Sequence, residues 1–354
     1  MRAARYYGKE DIRIEQIDEA PCGEGQVRIA PAFVGICGTD LHEYLGGPTF
    51  APTSPHPVTG DTIPITFGHE FSGVVKEIGK GVKGFQVGQN VAVQPTIYCR
   101  TCQACTRGVE NACYRGGFIG LSGGGGGLSD SVVVPVDTLF PLPSNVSLDI
   151  GALVEPLSVA WHAISAAPIT PDSTVLVLGG GPIGLAVVQC LSALKTKKII
   201  VSEVSSSRQA FAGQFGAHHV LNPKTYDLVA MSKELSGADG PDVVFDCAGV
   251  PASIATATQA VRVRGTIVNV AIWEKAIPFQ PNNLVFREAI YKAVLGYQRK
   301  DFQAVIDHIA NGTLKPERMI TSKIKLEDLV EKGFLPLINN KEKHVKILVD
   351  LSAK

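Results

Sequence analysis

The sequence predicts a two-part α/β plus β protein, a barrel of short strands followed by a doubly wound parallel-sheet domain. Three observations carry this. The chain has 354 residues, more than one hydrophobic core ordinarily serves. Its first 150 residues break into short apolar stretches punctuated by Gly and Pro. Beyond that point strand-like and helix-like apolar runs alternate, the pattern of a parallel sheet with helices on both faces. The expected division is 1–152 for the β domain, 153–295 for the doubly wound domain and 296–354 for a segment returning to the first. A piece that short cannot build a core of its own.

Composition removes several classes. Hydrophobic residues make up 45% and charged residues 19%, which excludes a disordered chain. Lys+Arg and Asp+Glu stand at 33 each, so no net field draws the protein to nucleic acid or an acidic membrane. The N-terminus lacks the apolar run of a secretory signal, and no stretch reaches the ~18 apolar residues of a membrane span. A cytoplasmic protein is expected, with the eight cysteines reduced and available as ligands or core.

In chain order, Gln26–Ala30 reads as a strand. The stretch Gly35-Ile36-Cys37-Gly38-Thr39-Asp40-Leu41-His42 follows, with a thiol, a hydroxyl, a carboxylate and an imidazole close together. Cys37 is a candidate catalytic zinc ligand, and Thr39 and His42 candidate carriers of a proton. The Pro-rich segment from Gly46 to Pro64 is too long for an ordinary connection, and such loops are functional or disordered. Gly68-His69-Glu70 offers two further donors. Taken alone, His69 reads equally as a hydrogen-bonded core histidine and Glu70 as a surface charge. Val91–Val93 is a second strand.

Cys99, Cys102 and Cys105 with Cys113 have the spacing C-x2-C-x2-C-x7-C. Four thiolates complete a tetrahedral zinc and leave no open position, so this site is structural. An iron–sulfur cluster is the other metal such cysteines could hold, but nothing else in the chain suggests electron transfer. Gly123–Gly127 reads as a mobile loop. Glu155-Pro156-Leu157 places a carboxylate at the start of an apolar helix, where Pro suits the first turn and Glu the helix N-terminus.

Thr174–Leu178 is a continuous apolar strand, followed by Gly179, Gly181 and Gly184 in the pattern G-x-G-x-x-G and an apolar helix from Leu185 to Leu194. Between a strand and a helix, these glycines permit a tight turn and close approach of a pyrophosphate to the helix N-terminus. Pro182 and Ile183 lie within the turn. Glu203 follows the strand Ile199–Val201 at the offset of an acid that binds the adenosine ribose and repels a 2′-phosphate. That favours NAD, although Arg208 nearby could pair with such a phosphate. Val243–Cys247 and Thr266–Val270 continue the sheet, and Val270 at a strand end is a further cofactor contact. Cys190 and Cys247 read as core, and Cys22 has no visible role. Phe302–Ile309 reads as a helix and Val345–Val349 as a strand.

These motifs in this order, G-I-C-G-T-D-L-H, G-H-E, four clustered cysteines, E-P-L and G-G-G-P-I-G, resemble the zinc-dependent medium-chain dehydrogenases over nearly the whole chain, and within them the polyol branch. The resemblance implies a GroES-like β-barrel catalytic domain and a Rossmann domain. It implies two zinc ions per chain and NAD, a small alcohol or ketone substrate such as a vicinal diol or acyloin, and a homodimer or homotetramer. Cys37 and His69 then match zinc ligands. Glu70 matches a neighbouring acid that ligates or moves in and out of ligation, and Glu155 binds the metal or its water. Thr39 and His42 match a proton relay with Asp40 beside the metal shell, and Glu203 and Arg208 match ribose contacts. Sorbitol- or xylitol-type and threonine dehydrogenases are the nearest alternatives. A non-catalytic NAD(P)-binding relative is a third, which the intact ligands and relay argue against.

Overall fold

A computed structural model describes residues 1–237, 239–273 and 275–352. The chain divides into two compact units, one of residues 1–155, 298–312 and 316–354, the other of 156–297 and 313–315.

The first unit is built on a seven-stranded sheet in the order Leu139–Pro141, Asn90–Val93, Glu70–Ile78, Gln26–Gly35, Lys346–Asp350 and Ile320–Ile324, with Val132–Pro135 also paired to Gln26–Gly35. Gln26–Gly35 is the hub. Its first half pairs with Val132–Pro135, and its last residues, Phe33 to Gly35, lie against the C-terminal strand. Along its length it pairs antiparallel with Glu70–Ile78, Gly35 opposite Glu70. A second, three-stranded sheet contains Arg2–Gly8. Val27, Ile29, Val34, Phe71, Val75, Val91 and Ile347 from these strands are buried in one apolar cluster. Seven such side chains with no water contact contribute roughly 1.5–3 kcal/mol each by transfer.

The glycine run differs from its sequence reading. It is packed, not mobile. Gly127 N donates to the Gly68 carbonyl at 2.7 Å and Gly124 N to Asp61 Oδ2 at 2.7 Å. A side chain at Gly126 would collide with the Thr66 and Phe67 carbonyls and one at Gly127 with the Phe71 ring, so these two glycines serve close packing against those residues. The long Pro-rich segment is likewise held in place. The buried Glu43 carboxylate accepts from the N–H groups of Thr49 at 3.0 Å and Phe50 at 2.5 Å, from Ala51 N at 3.5 Å, and from the Thr49 hydroxyl. Further along, His56 Nδ1 accepts from Val58 N and Thr59 N at 3.3 Å.

The second unit carries a six-stranded parallel sheet in the order His219–Leu221, Lys198–Ser202, Thr174–Leu178, Val243–Asp246, Thr266–Asn269 and Ile290–Ala293. This 3-2-1-4-5-6 order is that of a dinucleotide-binding sheet. Thr174–Leu178, at its centre, is buried on both faces, as its unbroken apolar run demands. Ile290–Ala293 is an exposed edge strand that the sequence reading missed, its IYKA pattern being neither alternating nor fully apolar.

Candidate active site

The catalytic candidates converge because two neighbouring strands and the C-terminal strand end together. Immediately after Gly35 the chain turns into the helix Gly38–Gly46, with Cys37 as its N-cap. Asp40, in the first turn, accepts the Cys37 N–H at 2.9 Å through Oδ2. That is one half of a capping box, and the carboxylate also complements the helix N-terminus. The thiol is thereby fixed at the mouth of the helix. His69 and Glu70 arrive from the adjacent strand.

Cys37 Sγ, a ring nitrogen of His69 and a carboxylate oxygen of Glu70 lie within 4.8 Å of one another, a spacing at which one ion reaches all three. Asp40 Oδ1 stands 3.3 Å from His69 Nδ1. Neither atom has a hydrogen-bond partner, their geometry being off the line of a good bond. Burial alone would push the His69 imidazolium down, yet Asp40 and the Cys37 sulfur outweigh it and raise its pKa well above the usual value. The donors thus create a buried negative site that draws a cation. A divalent metal fits this set, and zinc accepts one thiolate, one imidazole and a carboxylate.

Glu155 is buried in the first turn of the helix Val154–Ser165. It stands outside the three-donor cluster, yet its charge acts on Lys346. Thr39 Oγ1 lies 3.7 Å from Cys37 Sγ. Thr39 is half-buried and His42, one turn on along the same helix face, is exposed. The two therefore lead from the metal position toward solvent. Asp40, expected beside the metal shell, stands with Oδ1 3.3 Å from His69 Nδ1.

The four-cysteine lobe is preassembled. Sulfur separations are 3.5 Å for Cys102–Cys105 and for Cys99–Cys113, 3.8 Å for Cys102–Cys113 and 4.0 Å for Cys99–Cys105. A tetrahedron with 2.3 Å zinc–sulfur bonds has edges of about 3.8 Å. All four thiols are free. Cys99 is pulled down to about 5 by the Thr101 N–H, then by the Thr101 hydroxyl and the Cys102 N–H, as suits a metal-bound thiolate.

In the second unit, Gly179 has φ +95° and closes the turn after its strand. A side chain at Gly184 would strike the Gly179 carbonyl. Gly181 is the N-cap of the helix Pro182–Ala193, with Pro182 and Ile183 in its first turn. The free N–H groups of that turn form an anion site. Glu203 is buried, accepting Gly180 N through Oε2 at 2.7 Å and Ser205 N through Oε1 at 2.8 Å. This fixes a carboxylate against the glycine turn. Arg208 lies one helical turn beyond, its N–H donating to Ser205 Oγ at 3.4 Å. Val270 N donates to the Asp246 carbonyl at 3.0 Å. Asp246 is another residue the sequence reading passed over. It accepts from Ala248 N, Gly249 N and Ser253 Oγ at 2.9–3.1 Å, shaping the strand end next to the turn.

The largest omission is Lys346. Its ammonium, 2% exposed, donates to Glu70 Oε1 at 2.8 Å, Glu70 Oε2 at 2.6 Å and the Ile36 carbonyl at 3.2 Å. A lysine inside the apolar run Val345–Val349 was the available signal.

Comparison with known proteins accords with this geometry. Residues 23–144 match the alcohol dehydrogenase GroES-like domain and residues 182–311 the zinc-binding dehydrogenase domain. The (R,R)-butanediol dehydrogenase of Bacillus subtilis is 43% identical over 99% of both chains, and that of Saccharomyces cerevisiae 37% identical over 99% of this chain and 98% of the relative. The crystal structure of the 2R,3R-butanediol dehydrogenase from Bacillus subtilis superposes with a TM-score of 0.93 at 42% identity, covering 99% of each chain. The chain belongs to the zinc-binding medium-chain alcohol dehydrogenase family, with its GroES-like and Rossmann-type folds, and is a dehydrogenase that uses zinc and a nicotinamide cofactor.

Proposed function

We propose that this dehydrogenase interconverts 2,3-butanediol and acetoin with NAD, taking the (2R,3R) diol by preference, and reduces diacetyl by the same chemistry. The observation that carries the reading is full-length identity of 43% to a butanediol dehydrogenase, together with a Cys37–His69–Glu70 cluster able to hold the metal that such an oxidation needs. In the forward direction the carbinol carbon loses a hydride to NAD and its hydroxyl loses a proton, giving acetoin, NADH and a proton. A zinc ion held by Cys37 and His69, with Glu70 or Glu155, supplies the Lewis acidity that makes an alcohol acidic near neutral pH. The residues do the rest. Thr39 accepts the proton at its hydroxyl as it gives up its own, and His42, exposed one turn on, takes the relayed proton and releases it to solvent. Asp40 places its negative charge beside His69.

A second zinc in the lobe of Cys99, Cys102, Cys105 and Cys113 is structural, and the sulfur spacings support it. NAD over NADP is supported by Glu203, a buried carboxylate that follows the strand Lys198–Ser202 and is bonded to the glycine turn, at the chain offset of an acid that repels a 2′-phosphate. The protein is proposed to work in the cytoplasm as a homodimer or homotetramer. The exposed edge strand Ile290–Ala293, with Ile290 56% and Tyr291 40% exposed, suits antiparallel pairing with a second copy.

One experiment tests the substrate. Initial rates with NAD are measured on the stereoisomers of 2,3-butanediol, acetoin, sorbitol, xylitol and threonine. The expected outcome is the highest kcat/KM on (2R,3R)-butanediol. A higher value on sorbitol or threonine refutes the proposal. Cys37→Ser is expected to lose one of two zinc ions and the activity together; a variant that kept both would remove the mechanism.

A further inference from the structure

We infer that Lys346 is the positioning residue of the metal site, holding the Glu70 carboxylate beside the metal position and preventing it from occupying the place that an alcohol must take. The inference rests on the reading of Cys37 and His69 as zinc donors and takes Glu155, of the two carboxylates named above, as the third.

The ammonium group has three protons, and the structure directs them to three acceptors, both oxygens of Glu70 and the carbonyl of Ile36. Ile36 is the residue before Cys37. One lysine on the C-terminal strand therefore ties together the two segments that bear the thiol and the carboxylate. Glu70 is fully buried, and Gly35 closes the space on another side. A methyl group at Gly35 would overlap Glu70 Oε2 and meet its Cβ and Cδ at 3.2 Å. The carboxylate is thus confined by backbone and gripped through both oxygens. Cys37 and Glu70 stand together at the metal position with Asp40 3.3 Å from His69, and Lys346 is the cation bonded to Glu70 there. A buried ammonium is costly unless paired, and a purely structural anchor would be better served by an apolar side chain at this point of an apolar strand.

A structural ion pair and a positioning device predict opposite results for the metal. If Lys346 only supports the fold, removing it loosens the site and zinc leaves faster. If it restrains Glu70, removing it frees an anionic donor for the metal and takes away a nearby positive charge. Both changes hold the metal more tightly, while substrate loses its place.

The test uses the zinc-loaded enzyme and follows transfer of zinc to a chromophoric chelator, the catalytic fraction being the one absent from Cys37→Ser. Lys346→Met is expected to release that zinc about tenfold more slowly, opposite in sign to the roughly 10- to 100-fold loss of affinity that follows removal of a partner that only supports a metal ligand. Its kcat should fall by at least a similar factor with little change in KM for NAD. The visible spectrum of the cobalt-substituted protein should change with the ligand set. Lys346→Arg is expected to restore the wild-type release rate. The double variant Lys346→Met/Glu70→Gln carries neither buried charge, so it folds without an unpaired ion, and it should lose the slowing. Zinc release from Lys346→Met as fast as or faster than from wild type overturns the inference, as does slowing that persists in full beside Glu70→Gln. A wild-type protein holding only the four-cysteine zinc overturns the underlying reading as well, which separates the two failures.

Discussion

Replacing Glu43 by Gln keeps the shape of the side chain and removes its charge, and the structure sets the cost. Glu43 is fully buried at the end of the helix that carries Thr39 and His42. Its Oε1 accepts from Thr49 N at 3.0 Å and Phe50 N at 2.5 Å, and from the Thr49 hydroxyl, while Oε2 shares the Thr49 N–H at 3.0 Å and accepts from Ala51 N at 3.5 Å. Gln can retain its oxygen at the first position. Three bonds then lose their ionic character, at about 1 kcal/mol each, and the new NH2 group faces the Ala51 N–H, leaving a buried donor unpaired at about 1–2 kcal/mol. The total is about 4–5 kcal/mol against the closed state of residues 47–51. At 1.4 kcal/mol per factor of ten, opening of this segment should become about a thousandfold more frequent. Hydrogen exchange at the Phe50 and Ala51 amides measures that directly, with the Tyr291 amide in the other unit as the unchanged control. Thr49→Ala, which removes one donor of the set, should cost only about 1 kcal/mol. Exchange at Phe50 and Ala51 within tenfold of wild type in Glu43→Gln would refute the reasoning, because it would mean that the buried carboxylate does not hold the segment.

Four further outcomes are expected. Gly35→Ala pushes a methyl group into the Glu70 carboxylate; overpacking of this kind costs about 1–3 kcal/mol, visible as a lowered Tm of the zinc-loaded enzyme, and a wild-type Tm would contradict the close approach. Glu203→Ala should raise the NADP-to-NAD ratio of kcat/KM by roughly 10- to 100-fold by removing a carboxylate that repels the 2′-phosphate; an unchanged ratio would take that role from Glu203. Cys102→Ser should reduce the metal content by one zinc per chain and render the segment 99–113 sensitive to protease, whereas retention of both ions would deny the lobe its metal. Tyr291→Glu places a charge on the exposed edge strand and should shift the protein to smaller species in sedimentation; an unaltered mass would place the subunit interface elsewhere.

Sequence alone reached far in this protein where chemistry is local. The four cysteines are close enough in the chain that their spacing already describes a tetrahedron, and the sulfur separations bear that geometry. The strand–glycine–helix unit around Gly179 is legible for the same reason, since the turn, the helix N-terminus and Glu203 lie within one supersecondary unit. Strands such as Thr174–Leu178 are legible because burial on both faces requires an unbroken apolar run.

Groups brought together from distant parts of the chain were not legible in this way. Asp40 was expected beside the metal shell, but only the fold shows that one of its oxygens caps Cys37 while the other faces His69. The glycine run looked mobile because composition does not reveal a backbone packed against another backbone. Glu43 carried no role in the sequence, and only the fold brings the N–H groups of the following loop onto its carboxylate. The sequence by itself determined the fold classes, the glycine turn and the four-cysteine cluster, because each is written in a local pattern of spacing. Only the tertiary structure decided that Lys346, 276 residues from Glu70, grips that carboxylate beside Cys37. Register between Gln26–Gly35 and the C-terminal strand sets that meeting, and register is a property of the packed sheet as a whole.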